Sequence, residues 1–250
     1  MWDRIMLRMS QLKALALIGL FFSAHVFADQ KDVTTATANK TTAAQAAKDS
    51  ATDTATTDNK AGPASKAVSV PPGAPLSSAT CTPCHAADGN ADSPTFPKLS
   101  GLASSYIIKE LQEFKKGPSG HRNNPVMLTI ANQLSDQDMQ DLAEYYAKQV
   151  RTVGVASASN VELGQRIYRS GNLKTGVTAC AACHLPDGSG NELAGFPRLS
   201  GQNPQYITEQ LNAFKSGDRT NDLNGIMQGI AARMSEDEIE AVSNYVSGLH

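Results

Sequence analysis

The 250-residue chain sets 22 Lys and Arg against 24 Asp and Glu for a net charge of −2, which excludes a basic nucleic-acid face and any large docking patch of one sign. Its four cysteines are consumed by two short motifs, so no fifth thiol remains as a metal ligand.

In chain order, Arg4, Arg8 and Lys13 form a positive leader, residues 14–24 are an apolar run, and Val26-Phe27-Ala28 place small residues where a signal peptidase reads them. The apolar run falls short of the roughly 20 residues a membrane span needs. Residues 1–28 are therefore expected to be a signal peptide cleaved after Ala28, and the mature protein to be exported to the periplasm. Residues 29–73 are rich in Ala, Thr, Lys and Asp, lack aromatics and keep no apolar period. Such a stretch cannot bury enough surface to offset its ordering entropy, and a disordered linker is expected.

The next element is Cys81-Thr82-Pro83-Cys84-His85, and the same spacing returns as Cys180-Ala181-Ala182-Cys183-His184. In a C-x-x-C-H segment two thiols about a helical turn apart can form thioethers to a porphyrin's vinyl groups, while the adjacent imidazole reaches the iron. A zinc ribbon would pair its C-x-x-C units across a short hairpin, and a redox dithiol would sit in a βαβ pattern that is not visible here. Two covalently bound haem c groups are expected.

Around these motifs one unit is written twice. Phe96-Pro97-Lys98-Leu99-Ser100-Gly101 recurs as Phe196-Pro197-Arg198-Leu199-Ser200-Gly201, and Tyr106, Leu111, Phe114 and Lys115 recur as Tyr206, Leu211, Phe214 and Lys215. Asn203 reads as the N-cap and Pro204 as the first residue of a helix closed by Gly217; the first copy runs likewise from Ser104 or Ser105 to Lys116. Ser135-x-x-Asp138 and Ser235-x-x-Glu238 read as capping boxes opening the last helix of each copy. Strand signals are nearly absent, so the fold class is all-α, with domains at 74–150 and 151–250. Each copy is small and poor in aromatics, and a bound macrocycle would supply the missing apolar mass.

The repeat also sorts the methionines. Met139 exchanges with Ile239 and Met234 with Leu134, as core-filling residues do. Met127 aligns with Met227 in loops rich in Asn and Gly, so His85 with Met127, and His184 with Met227, are the expected axial ligands of the two irons. His121 has no counterpart and reads as a loop residue. Lys98 and Arg198 are candidates for pairing with haem carboxylates.

Taken together, these motifs resemble the dihaem cytochrome c4 family over about residues 76–249. The resemblance implies two tandem class-I cytochrome c domains about an approximate two-fold axis, with haem propionates near the interface. It implies that the carbonyls of Pro97 and Pro197 accept from the axial histidines. It further implies an electron carrier of the respiratory chain, not an enzyme, shuttling between a quinol-oxidising membrane complex and a terminal oxidase as transient partners. A monomer is expected, with room for association at a membrane surface. Alternatives are a tethered dihaem subunit of an oxidase complex or a dihaem redox enzyme. The sequence departs from the family in its long linker and in lacking, before the first motif, the helix that residues 161–169 form before the second. The first haem is therefore expected to be more open to water.

Overall fold

Ser135 and Ser235 start the closing helix of each half in the same way. Each hydroxyl accepts the N–H three residues on, from Asp138 or Glu238, whose carboxylate accepts the serine N–H in return; both predicted capping boxes are present. The computed structural model describes residues 70–250, so the expected signal peptide and nearly all of the expected linker lie outside the described residues. In order the helices are α1 (Thr82–His85), α2 (Ser104–Lys115), α3 (Pro125–Ala131), α4 (Asp136–Ala147), α5 (Val161–Ser170), α6 (Ala181–His184), α7 (Pro204–Ser216), α8 (Ile226–Ala231) and α9 (Glu236–Ser247). Short 3₁₀ turns stand at Leu76–Thr80, Gly117–Ser119 and Leu223–Gly225. Among the described residues there is no strand, only three isolated bridges, and the all-α class holds.

The elements α1 to α4 recur as α6 to α9. In the first half α2 packs on α3 and α4 around Ile107, Leu134, Met139, Leu142 and Tyr146; in the second α7 packs on α8 and α9 around Ile207, Leu211, Met234, Ile239 and Val246. Met139 and Met234 are buried there, as their exchange with aliphatics predicts. Each such side chain contributes about 1.5–3 kcal/mol on burial.

Among the described residues helix α5 has no counterpart in the first half. It crosses α9 at Gly164, where a Cβ would stand 2.1 Å from the Ala241 carbonyl oxygen, so only a glycine lets the backbones approach this closely. One turn on, Tyr168 is fully buried with its ring 5.5 Å from that of Tyr245. In the first half the Leu76–Thr80 turn lies against α4, which packs on α2 as well. There Asp141, exposed, occupies the position of the buried Ala241, so this face of α4 tolerates water where that of α9 does not.

The halves are joined by side chains reading backbone. Pro204 begins α7 and Gly217, at φ +84°, ends it, as predicted. Asn203 stands at the N-cap position as predicted, but its side chain makes no cap bond. Its amide instead donates across to the carbonyls of Ser93 and Phe96 at 3.0 and 2.7 Å. Arg151, buried in the connection, donates to the carbonyls of Ser100 at 2.8 Å, Lys98 at 3.0 Å and Ser200 at 3.5 Å, tying equivalent points of the two repeats.

Candidate functional site

Each C-x-x-C-H segment forms a single helical turn, α1 or α6, that brings both cysteines and the histidine to one cavity wall. None of the four cysteines is in a disulfide. Burial raises the Cys180 thiol to about 11 and moves Cys81 in the same direction, so both favour the neutral form. The histidines are 7% and 6% exposed at 85 and 184.

Both imidazoles are fixed by the same contact: Nδ1 of His85 lies 2.9 Å from the Pro97 carbonyl, and Nδ1 of His184 lies 2.9 Å from that of Pro197. A carbonyl only accepts, so Nδ1 carries the proton and Nε2 keeps its lone pair for a metal. Burial lowers both histidine pKa values against the opposing pull of the carbonyl bond, which keeps the rings neutral. Phe96 and Phe196 meet the imidazoles edge-on, with centroids 6.1 and 6.0 Å away.

Directly after each histidine the backbone enters a region normally reserved for glycine. Ala86 has φ 62° and ψ 163°, and Leu185 has φ 67° and ψ 157°. Strain of this kind costs about 1–3 kcal/mol, and its recurrence at one position of both repeats marks a turn imposed by the site. Each strained turn is pinned by a tyrosine, but by different ones: Tyr145 Oη donates to the Ala87 carbonyl at 3.1 Å, and Tyr168 Oη to the Leu185 carbonyl at 2.7 Å.

These walls enclose a continuous cavity of about 1160 Å³, lined by both halves and mostly apolar. That exceeds the roughly 300–1,000 Å³ of an ordinary ligand pocket. Two thiol pairs, two neutral imidazoles with a free Nε2 and a cavity of this size fit two covalently attached macrocycles, one per half.

Met127 and Met227 line the same cavity from the first turns of α3 and α8. The Met127 N–H donates to Asn124 Oδ1 at 3.0 Å and the Met227 N–H to Asp222 Oδ2 at 2.7 Å, which fixes the start of each short helix. Met234 also borders the cavity, from within the core cluster. The other candidates separate. His121 is exposed and pairs with Thr220 at 3.0 Å, away from the cavity wall. Lys98 turns away from it as well, its Nζ held by the Thr152 carbonyl at 2.6 Å, whereas Arg198 lines the wall. Of the two candidates for haem carboxylates, Arg198 is the one on the cavity wall, and the connection's Thr152 carbonyl takes the Lys98 ammonium. His85 and His184 are equally buried, and exposed apolar residues border the cavity in both halves, Phe96 and Val126 in the first and Leu193 and Leu223 in the second, so the greater openness expected of the first half is not seen at the rim.

A buried polar cluster on the cavity wall between the halves escaped the sequence reading. Arg122 and Arg219 pair as an antiparallel bridge, each guanidinium stacking on the phenylalanine of its own half, 4.4 Å over Phe114 and 4.5 Å over Phe214. Each also donates to the tyrosine of the other half: Arg122 to Tyr206 at 2.7 Å, Arg219 to Tyr106 at 3.1 Å. Both bind the Glu110 carboxylate. Burial would raise this carboxyl, but the two guanidiniums overrule it and hold the group at about 2. The signal was hidden because the first loop is longer before its arginine and shorter after it, so the two arginines fall out of the register that aligns the methionines.

A model of the cytochrome c family matches residues 70–148 and again 161–250. Cytochrome c4 of Stutzerimonas stutzeri is 44% identical over 179 residues, covering 69% of this chain and 85% of that protein. A thiosulfate dehydrogenase electron acceptor of Stutzerimonas stutzeri (strain A1501) is 37% identical over 182 residues, covering 71% and 82%. The crystal structure of reduced recombinant cytochrome c4 from Pseudomonas stutzeri matches with a TM-score of 0.67 at 43% identity, covering 69% of this chain and 95% of that one.

Proposed function

The chain belongs to the cytochrome c4 family and is a dihaem electron-transfer cytochrome with two covalent haem c groups, and from that premise we propose that it carries electrons in the periplasm from a quinol-oxidising membrane complex to a terminal oxidase. The observation that supports a carrier over a catalyst is that each half lines the cavity with a methionine as well as with a histidine fixed in its neutral tautomer.

In this reading Cys81, Cys84, Cys180 and Cys183 hold the groups through thioethers. His85 with Met127 would hold one iron, and His184 with Met227 the other. Each haem, when bound, supplies a one-electron couple. The chain's contribution is to keep the imidazoles oriented through Pro97 and Pro197, to exclude water with apolar walls, and to offer each iron a methionine that would leave no site open to a substrate. A soft, neutral thioether favours ferrous iron, so relatively high potentials are expected at both sites. The working units are residues 74–150 and 151–250, acting as a monomer after export and removal of residues 1–28. Among the described residues no helix is long and apolar enough to cross a membrane.

The relative named as a thiosulfate dehydrogenase electron acceptor favours a second reading, in which a thiosulfate-oxidising enzyme is the donor. The test is made on the purified mature protein: two haems should survive acid-acetone extraction, and membranes supplied with quinol should reduce both. Recovery of fewer haems would overturn the cofactor assignment. Reduction by a thiosulfate dehydrogenase with thiosulfate, and not by quinol-fed membranes, would move the donor to the second reading.

A further inference from the structure

The cluster between the halves is symmetric except at its centre. Arg122, Phe114 and Tyr206 on one side match Arg219, Phe214 and Tyr106 on the other, yet Glu110 of the first repeat meets Gln210 of the second. Glu110 accepts from Arg122, from Arg219 at 3.3 Å, from Asn221 at 2.8 Å, and from Lys109 at 3.0 Å. Gln210 accepts from the same two arginines through Oε1, at 3.1 and 2.9 Å, and brings no charge. Both guanidiniums and the carboxylate are buried, whereas the Lys109 side chain is 48% exposed and its charge is largely screened. The buried set therefore holds two cations and one anion, and it forms part of the wall of the cavity shared by the two haem pockets.

A hydrophobic or hydrogen-bonded joint needs no such charge. Burying ions is costly unless they are paired, and an amide at 110 would complete the two-fold pattern with a second neutral acceptor. What the carboxylate adds over an amide is one fixed negative charge in a low-dielectric wall, where charges act over longer distances than in water. Oxidation of a haem adds a positive charge to that cavity, so a fixed anion stabilises the ferric state and lowers the potential.

We propose that Glu110 is a positioning residue for electron transfer, setting the charge of the wall between the haems through Arg122 and Arg219 and holding both reduction potentials down together. The inference rests on the dihaem reading above. Because the carboxylate is gripped from both halves, its effect falls on the two haems jointly, and the identity of residue 110 shifts their mean more than their separation.

Redox titration of the full mature holoprotein tests this, with haem content and axial-ligand spectra recorded on the same samples. Glu110→Gln should raise both potentials, seen as a severalfold fall in the ferric-to-ferrous ratio at a fixed applied potential, with unchanged spectra. Gln210→Glu, which leaves Glu110 in place, should lower both. The exchange variant E110Q/Q210E should return the mean potential close to that of the parent. Potentials that stay put in Gln210→Glu and in Glu110→Gln, in samples with two haems and parental spectra, would overturn the inference. Where Glu110→Gln does not yield folded protein, a Gln210→Glu variant with unmoved potentials suffices to overturn it. Loss of a haem or an altered parental spectrum would instead count against the dihaem reading itself.

Discussion

The two halves build one kind of haem platform on different scaffolds. In the second, α5 presses on α9 at Gly164 and delivers Tyr168 to the strained carbonyl of Leu185. In the first no opening helix stands among the described residues; the closing helix α4 supplies Tyr145 for the equivalent task, and Tyr146 beside it fills the core. Asp141 in place of Ala241 shows that the first half is not a copy with a part missing, because the face α5 would cover has become polar. What the halves keep in common at the cavity wall is a short list: two cysteines, a histidine, the proline carbonyl that orients it, and the phenylalanine edge.

The strongest way to break the comparison is Gly164→Val. Its side chain would meet the Ala241 carbonyl and the Tyr245 Cβ, backbone and near-backbone atoms that cannot rotate aside. A loss of about 3 kcal/mol or more is expected, confined to the second half. Thermal unfolding followed at the haem absorbance should then split into two transitions; a single shifted transition would show that the halves do not unfold separately.

Acid should act next, and on the joint. The Glu110 carboxyl falls from an ordinary 4.5 to about 2 in the folded protein, first resisted by burial and then driven by Arg122 and Arg219. A depressed pKa stabilises fully above the unfolded value, and that contribution is lost as pH falls from about 4.5 through 2. Its size is on the order of 3 kcal/mol. Urea midpoints should decline across that window in the parent, and Glu110→Gln should flatten the decline. Parallel pH profiles for the two proteins would sink this assignment.

The smallest contrast lies in two tyrosines. Tyr168 donates to Leu185, so Tyr168→Phe leaves a carbonyl unpaired and should cost about 1–2 kcal/mol. Tyr145, only partly buried, donates to the Ala87 carbonyl at 3.1 Å, so Tyr145→Phe should cost less, about 0.5–1 kcal/mol. Equal losses in the two variants, by urea denaturation, would mean that the tyrosines are not used differently.

Most of the fold and of the site was legible because local chemistry specified it. Capping boxes at Ser135 and Ser235, Pro204 and Gly217 around α7, and the exchange of Met139 with Ile239 are signals confined to a few residues, and each holds. What was not legible is tertiary. Asn203 has the backbone of an N-cap, but the carbonyls of Ser93 and Phe96 offer its amide better partners than its own helix does. Lys98 looked equivalent to Arg198 until the connection placed the Thr152 carbonyl beside it. The cluster around Glu110 was out of reach because its arginines lie off the repeat register, and a carboxylate among polar helix residues carries no mark of burial.

The account rests on a histidine and a methionine at each of two irons, and the ferric protein's weak near-infrared sulfur-to-iron band tests that directly. Its intensity should correspond to two sites, and Met127→Ala and Met227→Ala should each remove about half of it while both haems stay covalently attached. A band unchanged in either variant, or one whose full intensity corresponds to a single site, would contradict the account.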